Sequence, residues 1–236
     1  MASFDWLKNN PYPGRGVVQG VSPSGDFVQV YWIMGRSENS RNRIFLQNDD
    51  GSVRTRAFDE AKVSDPSLII YFPYRKVKKS HLLKKNEFTH IVTNGDQTDT
   101  IAEFLGKGKS AEEALKTRTY EPDQPNFTPR ISGVYYPNGA YALSIIKNEN
   151  GRSAFFIERE SGIKGTGEML TTYEGDSDPL VSFIGLPKQT EIFATPTETL
   201  NAYWDSLNPA FRVSILVNWI NPQNGENEIF IKNGNL

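Results

Sequence analysis

Two polar segments of the chain carry side chains suited to acid–base chemistry. Residues 93–99 follow an apolar run and lead into a helical pattern, and a helix N-terminus offers unpaired backbone N–H groups to an anion or a carbonyl oxygen. Residues 120–130 hold Glu121 and Asp123 among three prolines, which restrict the loop and help to position side chains. Burial and mutual charge can separate the pKa values of two such carboxylates, leaving one as acid and the other as base. An ordinary helix cap and a rigid connector explain the same two patterns about as well.

Composition narrows the chemistry further. The 236 residues include no cysteine and only two histidines, His81 and His90, which excludes disulfides, thiolate chemistry and a histidine-rich metal site. Acid–base work must therefore rest on carboxylates, tyrosines, lysines and arginines, and no metal is expected. A net charge of −2 argues against broad nucleic-acid binding. No apolar run approaches the roughly 20 residues of a membrane helix, and the N-terminus lacks the pattern of a secretory signal, so we expect a cytoplasmic protein with no membrane partner.

Basic side chains are concentrated in two stretches. Between Arg36 and Arg56 there are five arginines against three acids, and guanidinium groups suit planar phosphate or carboxylate groups. Residues 75–85 include six Lys and Arg residues and no acid. Lysine-rich runs of this kind commonly protect an exposed sheet edge, so the arginine cluster is the better candidate for an anion site.

A framework of mostly β-sheet must position these segments. Short apolar or alternating runs bounded by Gly, Pro and Asn predict strands over 16–21, 27–34, 43–46, 52–56, 68–72, 88–92, 131–135, 141–146, 154–157, 169–173, 180–184, 211–219 and 228–231. An apolar stripe and two capping-box spacings, one beginning at Ser110 and one at Thr195, predict helices over 98–105, 110–118 and 195–207. The chain has no repeat and no linker. It therefore predicts a single domain of class α/β (α+β), residues 1–236, with two sheets packed face to face and helices outside.

Six short motifs, taken in order, resemble the archaeal-type IMP cyclohydrolases. The resemblance covers roughly residues 12 to 175. The motifs are Tyr12-Pro13-Gly14-Arg15, Tyr31…Gly35-Arg36-Ser37, Ile69-Ile70-Tyr71…Arg75-Lys76-Val77, Thr93-Asn94-Gly95…Thr98-Asp99-Thr100-Ile101-Ala102, Tyr120-Glu121…Asp123…Asn126…Thr128-Pro129-Arg130-Ile131 and Thr172-Tyr173-Glu174.

The resemblance implies a fold and a reaction. The fold would be a four-layer α/β/β/α sandwich like that of N-terminal-nucleophile hydrolases. The reaction would be ring closure of 5-formamido-imidazole-4-carboxamide ribonucleotide (FAICAR) to IMP and water in purine biosynthesis, with no cofactor. The partner would be this purine ribonucleotide, and the resemblance suggests a homo-oligomer.

Under this resemblance we assign hypothetical roles to residues of the motifs and of the arginine cluster. The catalytic candidates are Glu121 for the amide proton, Tyr71 as hydrogen-bond donor or acid near the formyl oxygen, and Arg36 for the negative charge that develops there. The candidates for orienting the carboxamide and the ribose are Asn94, Asp123 and Asn126. The candidates for the 5′-phosphate, which the sequence does not rank, are Arg15, Arg41, Arg43 and Arg130.

The chain also departs from the family pattern. Archaeal members carry histidine where this chain has Gln97, so an acid–base role of that side chain is absent. Residues 38–43 lengthen the loop after Arg36, and the resemblance fades after about Pro179. Two alternatives stay open: a non-catalytic purine-nucleotide-binding relative, and an N-terminal-nucleophile amidohydrolase, which would require processing that exposes Ser3 or an internal Ser or Thr.

Overall fold

The computed structural model describes residues 4–63, 70–78 and 88–235. The strands are β1 (Gly16–Val21), β2 (Phe27–Met34), β3 (Arg43–Gln47), β4 (Val53–Ala57), β5 (Tyr74–Lys78), β6 (Phe88–Thr93), β7 (Arg130–Tyr135), β8 (Tyr141–Asn148), β9 (Arg152–Arg159), β10 (Thr166–Thr171), β11 (Lys188–Glu191), β12 (Arg212–Ile220) and β13 (Asn227–Asn233). The helices are α1 (Phe4–Asn9), α2 (Glu38–Arg41), α3 (Gln97–Gly106), α4 (Ala111–Lys116) and α5 (Pro196–Ser206), with a 3₁₀ turn at Glu60–Lys62.

The strands form two antiparallel sheets. One has six strands in the order β11-β10-β1-β2-β12-β13, and the other has seven in the order β3-β4-β5-β6-β7-β8-β9. Consecutive strands pair as hairpins, with Gly16 of β1 opposite Trp32 of β2 in the first sheet and Val134 of β7 opposite Ala142 of β8 in the second. The fold is therefore mixed α+β with two antiparallel sheets and few helices, as the sequence predicted at that level.

An apolar core fills the space between the sheets. Val17 and Tyr31 of the six-stranded sheet pack with Phe45, Tyr74 and Leu143 of the seven-stranded sheet, and all five are buried. In strand β4 buried and exposed residues alternate, because successive side chains of a pleated strand point to opposite faces of the sheet. The inward faces of both sheets thus pack together in one shared core.

Helices pack on the other face of each sheet. On the six-stranded sheet, α1 and α5 contribute to a cluster in which Tyr203 stacks on Trp32 with ring centroids 6.0 Å apart. On the seven-stranded sheet, Ile101 of α3 and Ala114 of α4 pack against Val134.

The two predicted capping boxes are confirmed. Ser110 accepts a hydrogen bond from the backbone N–H of Glu113, whose side chain returns the interaction, and Thr195 and Glu198 do the same ahead of α5. Each box satisfies backbone donors that a helix start leaves unpaired.

Two strand predictions require correction. Residues 64–69 and 79–87 lie outside the described residues, and they include two of the five residues of the predicted strand 68–72 and much of the basic stretch 75–85. The described residues 70–72 are not in a strand, and the strand of this region begins at Tyr74. The predicted strand 180–184 is also wrong: Ser182 makes one isolated bridge with Tyr173, and Val181 and Ile184 point to solvent, so apolar composition there does not reflect a buried sheet.

The sequence patterns missed α1, α2 and β11. Each is short, between four and six residues, and each depends on packing or capping instead of a long periodic pattern. Ser3, the candidate for an exposed nucleophile, lies outside the described residues. Among the described helices, none has the length and apolar character needed to cross a membrane.

We predict that Gly16→Ala destabilises the protein by about 1–3 kcal/mol, the usual scale for overpacking a dense core. A Cβ at Gly16 would lie 1.9 Å from the indole ring of Trp32, which is rigid and fully buried. Urea unfolding of wild type and variant measures the loss. The matched control is Gly106→Ala, where a Cβ meets open space, and a loss of equal size in that variant would contradict the steric explanation.

Candidate functional site

Six polar side chains from distant parts of the sequence converge on one region of the protein. We call them the polar cluster: Arg15, Tyr31, Arg43, Tyr71, Glu121 and Tyr173. Each interacts electrostatically with at least two of the others, and five of the six are buried while Arg15 is half-buried. Polar groups buried in this number need either partners inside the protein or a ligand.

Arg15 is held by the segment that precedes β1. Its N–H donates to the Thr172 hydroxyl at 3.1 Å and its carbonyl accepts from the Thr172 N–H at 2.9 Å. Gly14, at φ +71°, allows this approach, because a Cβ there would lie 2.2 Å from the Thr172 hydroxyl oxygen. Burial lowers the pKa of Arg15, but the charges of Glu121 and the neighbouring phenol oxygens raise it above its ordinary value, so the side chain stays cationic.

Arg43 is the most unusual member of the polar cluster. It begins β3, is fully buried, and donates from Nε to the carbonyl of Ser40 at 2.8 Å. Neither of its Nη atoms has a hydrogen-bond partner among the described residues, and the Nε of Arg15 also lacks one. Burial lowers the pKa of Arg43, and the charge of Arg15 lowers it further. Unpaired buried donors of a cation are costly, and a bound anion or oxyanion would remove that cost.

Two phenols lie beside these arginines. The hydroxyls of Tyr31 and Tyr71 are 2.6 Å apart, so one donates to the other. Tyr71 is fixed by Thr55 of β4, whose hydroxyl accepts from the Tyr71 N–H at 2.8 Å and whose N–H donates to the Tyr71 carbonyl at 2.9 Å. Burial raises the pKa of both phenols, which keeps both protonated near neutral pH. One of the two hydroxyl hydrogens remains free to donate to a ligand.

Glu121 is the buried carboxyl of the polar cluster. Its side chain is 4% exposed and makes no hydrogen bond or ion pair with any described residue. Burial raises the pKa of Glu121 to about 7, with Asp123 acting in the same direction and Arg15, Arg130 and Arg43 opposing. A carboxyl with this pKa exchanges a proton at neutral pH, which is the property of an efficient general base or acid.

A second network supports the loop that carries Glu121. Arg130 donates from Nη1 to Asp96 at 2.7 Å and to the Gln97 side-chain oxygen at 2.8 Å. The Asn94 oxygen accepts from the Ile131 N–H at 2.8 Å and from the Gln97 amide at 2.9 Å, and its amide donates to the Pro129 carbonyl at 2.8 Å. Asn94, Gln97 and Arg130 therefore join the end of β6 to the start of β7.

The other predicted site residues are engaged differently. Asp123 accepts from both the N–H and the hydroxyl of Thr128, and Asn126 accepts from the Leu180 N–H at 3.2 Å. Arg36 donates to two carbonyls of the loop at residues 176–177, at 3.3 Å each, and its guanidinium carbon lies 5.4 Å from the Tyr12 ring centroid. Arg41 is exposed on α2 and its side chain makes no hydrogen bond or ion pair with the described residues.

The structure therefore separates the predicted residues into groups. It brings Arg15, Arg43, Tyr71 and Glu121 together. The other predicted residues lie outside the polar cluster, either in hydrogen-bond networks of the nearby loops (Asn94, Asp123, Asn126 and Arg130) or at what we call the rim (Arg36 and Arg41). Sequence reasoning missed Tyr31, which sits inside an apolar strand and has the pattern of a core aromatic. It also gave no role to Tyr173, although that residue stands in one of the six motifs.

Comparisons with known proteins agree with the ordered motifs. A family model described as IMP cyclohydrolase-like protein matches residues 12–225, well past the point where the motif resemblance fades. A relative from Methanopyrus kandleri named IMP cyclohydrolase is 35% identical over 125 residues, covering 51% of this chain and 57% of that protein, which is less than two thirds of its length. A second of that name, from Methanococcus maripaludis, is 32% identical and covers 64% of this chain and 70% of that protein. A third, from Halobacterium salinarum, is 27% identical and covers 73% and 77%. No solved structure matches the chain.

The raised pKa of Glu121 makes stability depend on pH in a way that Glu121→Gln abolishes. The folded state binds this proton more tightly than the unfolded chain, so the contribution is present below about pH 4.5 and is lost as pH rises through 7. From pH 4 to pH 8 the variant should gain on the order of 3 kcal/mol relative to wild type, at 1.36 kcal/mol per pKa unit. Urea unfolding at both pH values measures the gain, and a stability difference independent of pH would contradict the raised pKa.

Proposed function

The chain belongs to the family of IMP cyclohydrolase-like proteins, and we propose that it is itself an IMP cyclohydrolase, closing the ring of FAICAR to IMP and water. One observation carries the proposal: a carboxyl with a pKa of about 7 faces two arginines with unpaired donors and a hydrogen-bonded tyrosine pair. This arrangement contains an acid–base group and donors for negative charge, the two things that the reaction needs.

To catalyse this reaction the protein must mainly orient the substrate and transfer protons. The carboxamide nitrogen attacks the formyl carbon on the neighbouring ring substituent, and correct orientation alone can supply up to roughly 7–11 kcal/mol in intramolecular cases. The amide lone pair is delocalised, so a base must take one N–H proton as the N–C bond forms. The formyl oxygen becomes an alkoxide, is protonated, and leaves as water while the former formamide nitrogen loses its hydrogen. Neither a cofactor nor a metal takes part in these steps.

Glu121 is the proposed proton carrier. As a carboxylate it takes the amide proton, and as a carboxylic acid it returns a proton to the departing hydroxide. A pKa of about 7 supports both halves of this cycle, since each protonation state is populated at neutral pH. Burial that excludes water also strengthens the electrostatic interactions of the groups around it.

The donors of the polar cluster are proposed to hold the negative charge. Tyr71, paired with Tyr31, donates towards the formyl oxygen, and Arg43 and Arg15 stabilise the oxyanion or bind the 5′-phosphate with their unpaired N–H groups. Of the phosphate candidates other than exposed Arg41, these two have the more available donors, because Arg130 is engaged with Asp96 and Gln97. Exposed Arg41 could reach a phosphate at the rim.

The remaining assignments stay predictions. Arg36 is proposed to act on charge near the formyl oxygen from the rim, and Asn94 and Asn126 to orient the carboxamide and ribose through the loops they stabilise. We also propose the finer fold, a four-layer α/β/β/α sandwich of the N-terminal-nucleophile type. Helices on the outer face of each sheet support it. A homo-oligomer and a cytoplasmic location stay predictions too.

A second candidate is a purine-nucleotide-binding relative without turnover. Gln97 favours it, because this buried amide is fully used in hydrogen bonds to Asn94, Ile131 and Arg130 and performs no acid–base chemistry. Such a protein would bind IMP and leave FAICAR unchanged. The N-terminal-nucleophile amidohydrolase would instead show a shortened intact mass.

An absorbance assay for IMP formation from FAICAR tests the proposal. Glu121→Gln and Tyr71→Phe should each lower kcat about 10²–10⁴-fold, the usual scale of general acid–base catalysis. The control is Glu112→Gln, an exposed surface carboxyl on α4, which should leave kcat unchanged. Wild-type protein that binds IMP without forming it would establish the second candidate, and full activity of both site variants would contradict the assigned roles.

A further inference from the structure

Three side chains next to the polar cluster form a continuous hydrogen-bonded relay. The Thr128 N–H donates to Asp123 Oδ1 at 2.7 Å, and the Thr128 hydroxyl also bonds to Asp123 Oδ2. The same Thr128 oxygen lies 2.5 Å from the hydroxyl of Tyr173. Thr128 and Tyr173 are both buried, and Asp123 is half-buried.

The direction of the protons in this relay follows from the number of hydrogens. A carboxylate only accepts, so the single hydroxyl hydrogen of Thr128 points to Asp123. Tyr173 must then donate its own hydrogen to the Thr128 oxygen, because no other hydrogen is available for the 2.5 Å contact. Burial raises the pKa of Tyr173 to about 12, so the phenol keeps this hydrogen near neutral pH. The Tyr173 oxygen is left with lone pairs and no hydrogen to offer a ligand.

Tyr173 lies close to both Arg15 and Glu121, and the Glu121 N–H donates to the Thr128 carbonyl at 2.9 Å, which holds Glu121 beside the relay. Its ring packs against the chain just before Arg15, where a Cβ at Gly14 would lie 2.6 Å from the ring, and it stacks on Tyr12 with centroids 6.1 Å apart. The charges of Arg15 and Glu121 both act on its phenol. The polar cluster thus contains donors, which are the arginines and the Tyr31–Tyr71 pair, and two acceptors, Glu121 and the Tyr173 oxygen, both of which are bonded to Thr128 through its carbonyl and its hydroxyl respectively.

We propose that the Tyr173 oxygen, fixed as an acceptor by Thr128 and Asp123, accepts the N–H of the substrate carboxamide that is not transferred. This inference rests on the proposed function. Holding one amide hydrogen on Tyr173 directs the other towards Glu121. The retained hydrogen becomes the N1–H of IMP, so the product makes the same contact. Asp123 and Thr128 are positioning residues, and Asp123 acts on the carboxamide through the relay instead of by direct contact.

A variant that reverses the direction of the hydrogen bonds in the relay tests whether the Tyr173 oxygen acts as an acceptor. In Asp123→Asn the side-chain oxygen must still face the Thr128 N–H, so the amide NH₂ faces the Thr128 hydroxyl and donates to it. Thr128 then donates to Tyr173, and Tyr173 donates outward. The two probes are IMP, whose N1 carries a hydrogen, and purine riboside 5′-monophosphate, whose N1 carries none and accepts.

Isothermal titration calorimetry should show opposite changes for the two nucleotides. Asp123→Asn should weaken IMP binding about 3- to 10-fold and strengthen purine riboside 5′-monophosphate binding by a similar factor, the scale of one hydrogen bond. Thr128→Ser keeps the hydroxyl and should match wild type within about 2-fold, whereas Tyr173→Phe should lose the preference for IMP. Equal changes for both nucleotides in Asp123→Asn, or no change, would overturn the relay.

The relay and the proposed function can fail separately. Wild-type protein that binds IMP but does not cyclise FAICAR refutes the enzyme assignment, while the nucleotide preference of Asp123→Asn still decides the relay. If wild-type protein cyclises FAICAR but Asp123→Asn still prefers IMP as wild type does, the relay is refuted and the proposed function stands. Wild-type protein that does not bind IMP contradicts both. If Asp123→Asn does not fold, Tyr173→Phe decides instead: loss of the IMP preference there, with Thr128→Ser unchanged, supports the acceptor role, and its retention refutes it.

Discussion

The site depends on a carboxyl that is buried beside two arginines without forming an ion pair with either. Glu121 is raised in pKa by burial, and Arg15 and Arg43 keep guanidinium donors unpaired in the same region. A direct bond between these groups would lower the pKa of Glu121 and use up the donors, leaving neither a base nor an anion site. The surrounding framework holds the three groups so that no such bond forms.

The framework does so by anchoring each group to a different rigid element. Thr172 fixes Arg15 ahead of β1, Ser40 holds Arg43 at the start of β3, and the network of Asn94 and Arg130 fixes the loop of Glu121. Because these anchors belong to both sheets, the shared apolar core determines how far apart the charged groups stay. The unfavourable burial of polar groups is thereby offset by the stability of the whole fold, as is usual at functional sites.

Local patterns in the sequence predicted much of the framework. Strands β1 and β2 were predicted with their observed bounds, since alternating runs and the turn between them are local signals, and the capping box placed α5 for the same reason. The strand prediction at 180–184 failed because Leu180 and Phe183 pack into the apolar cores from a loop, while Val181 and Ile184 are exposed. The division of roles in the site could not be predicted. Arg43 keeps unpaired donors, whereas Arg130 uses its donors in hydrogen bonds. Residues far away in the chain determine this difference.

The central claim is that the free protein holds Glu121 with a pKa near neutrality. The most direct test is a ¹³C NMR titration of the glutamate side-chain carboxyls, with the Glu121 resonance identified by its absence from Glu121→Gln. We expect an inflection at about pH 7 for this one resonance. An inflection near the ordinary glutamate value of about 4.3 would contradict it, because the carboxyl would then be paired or solvated and unable to serve as the base.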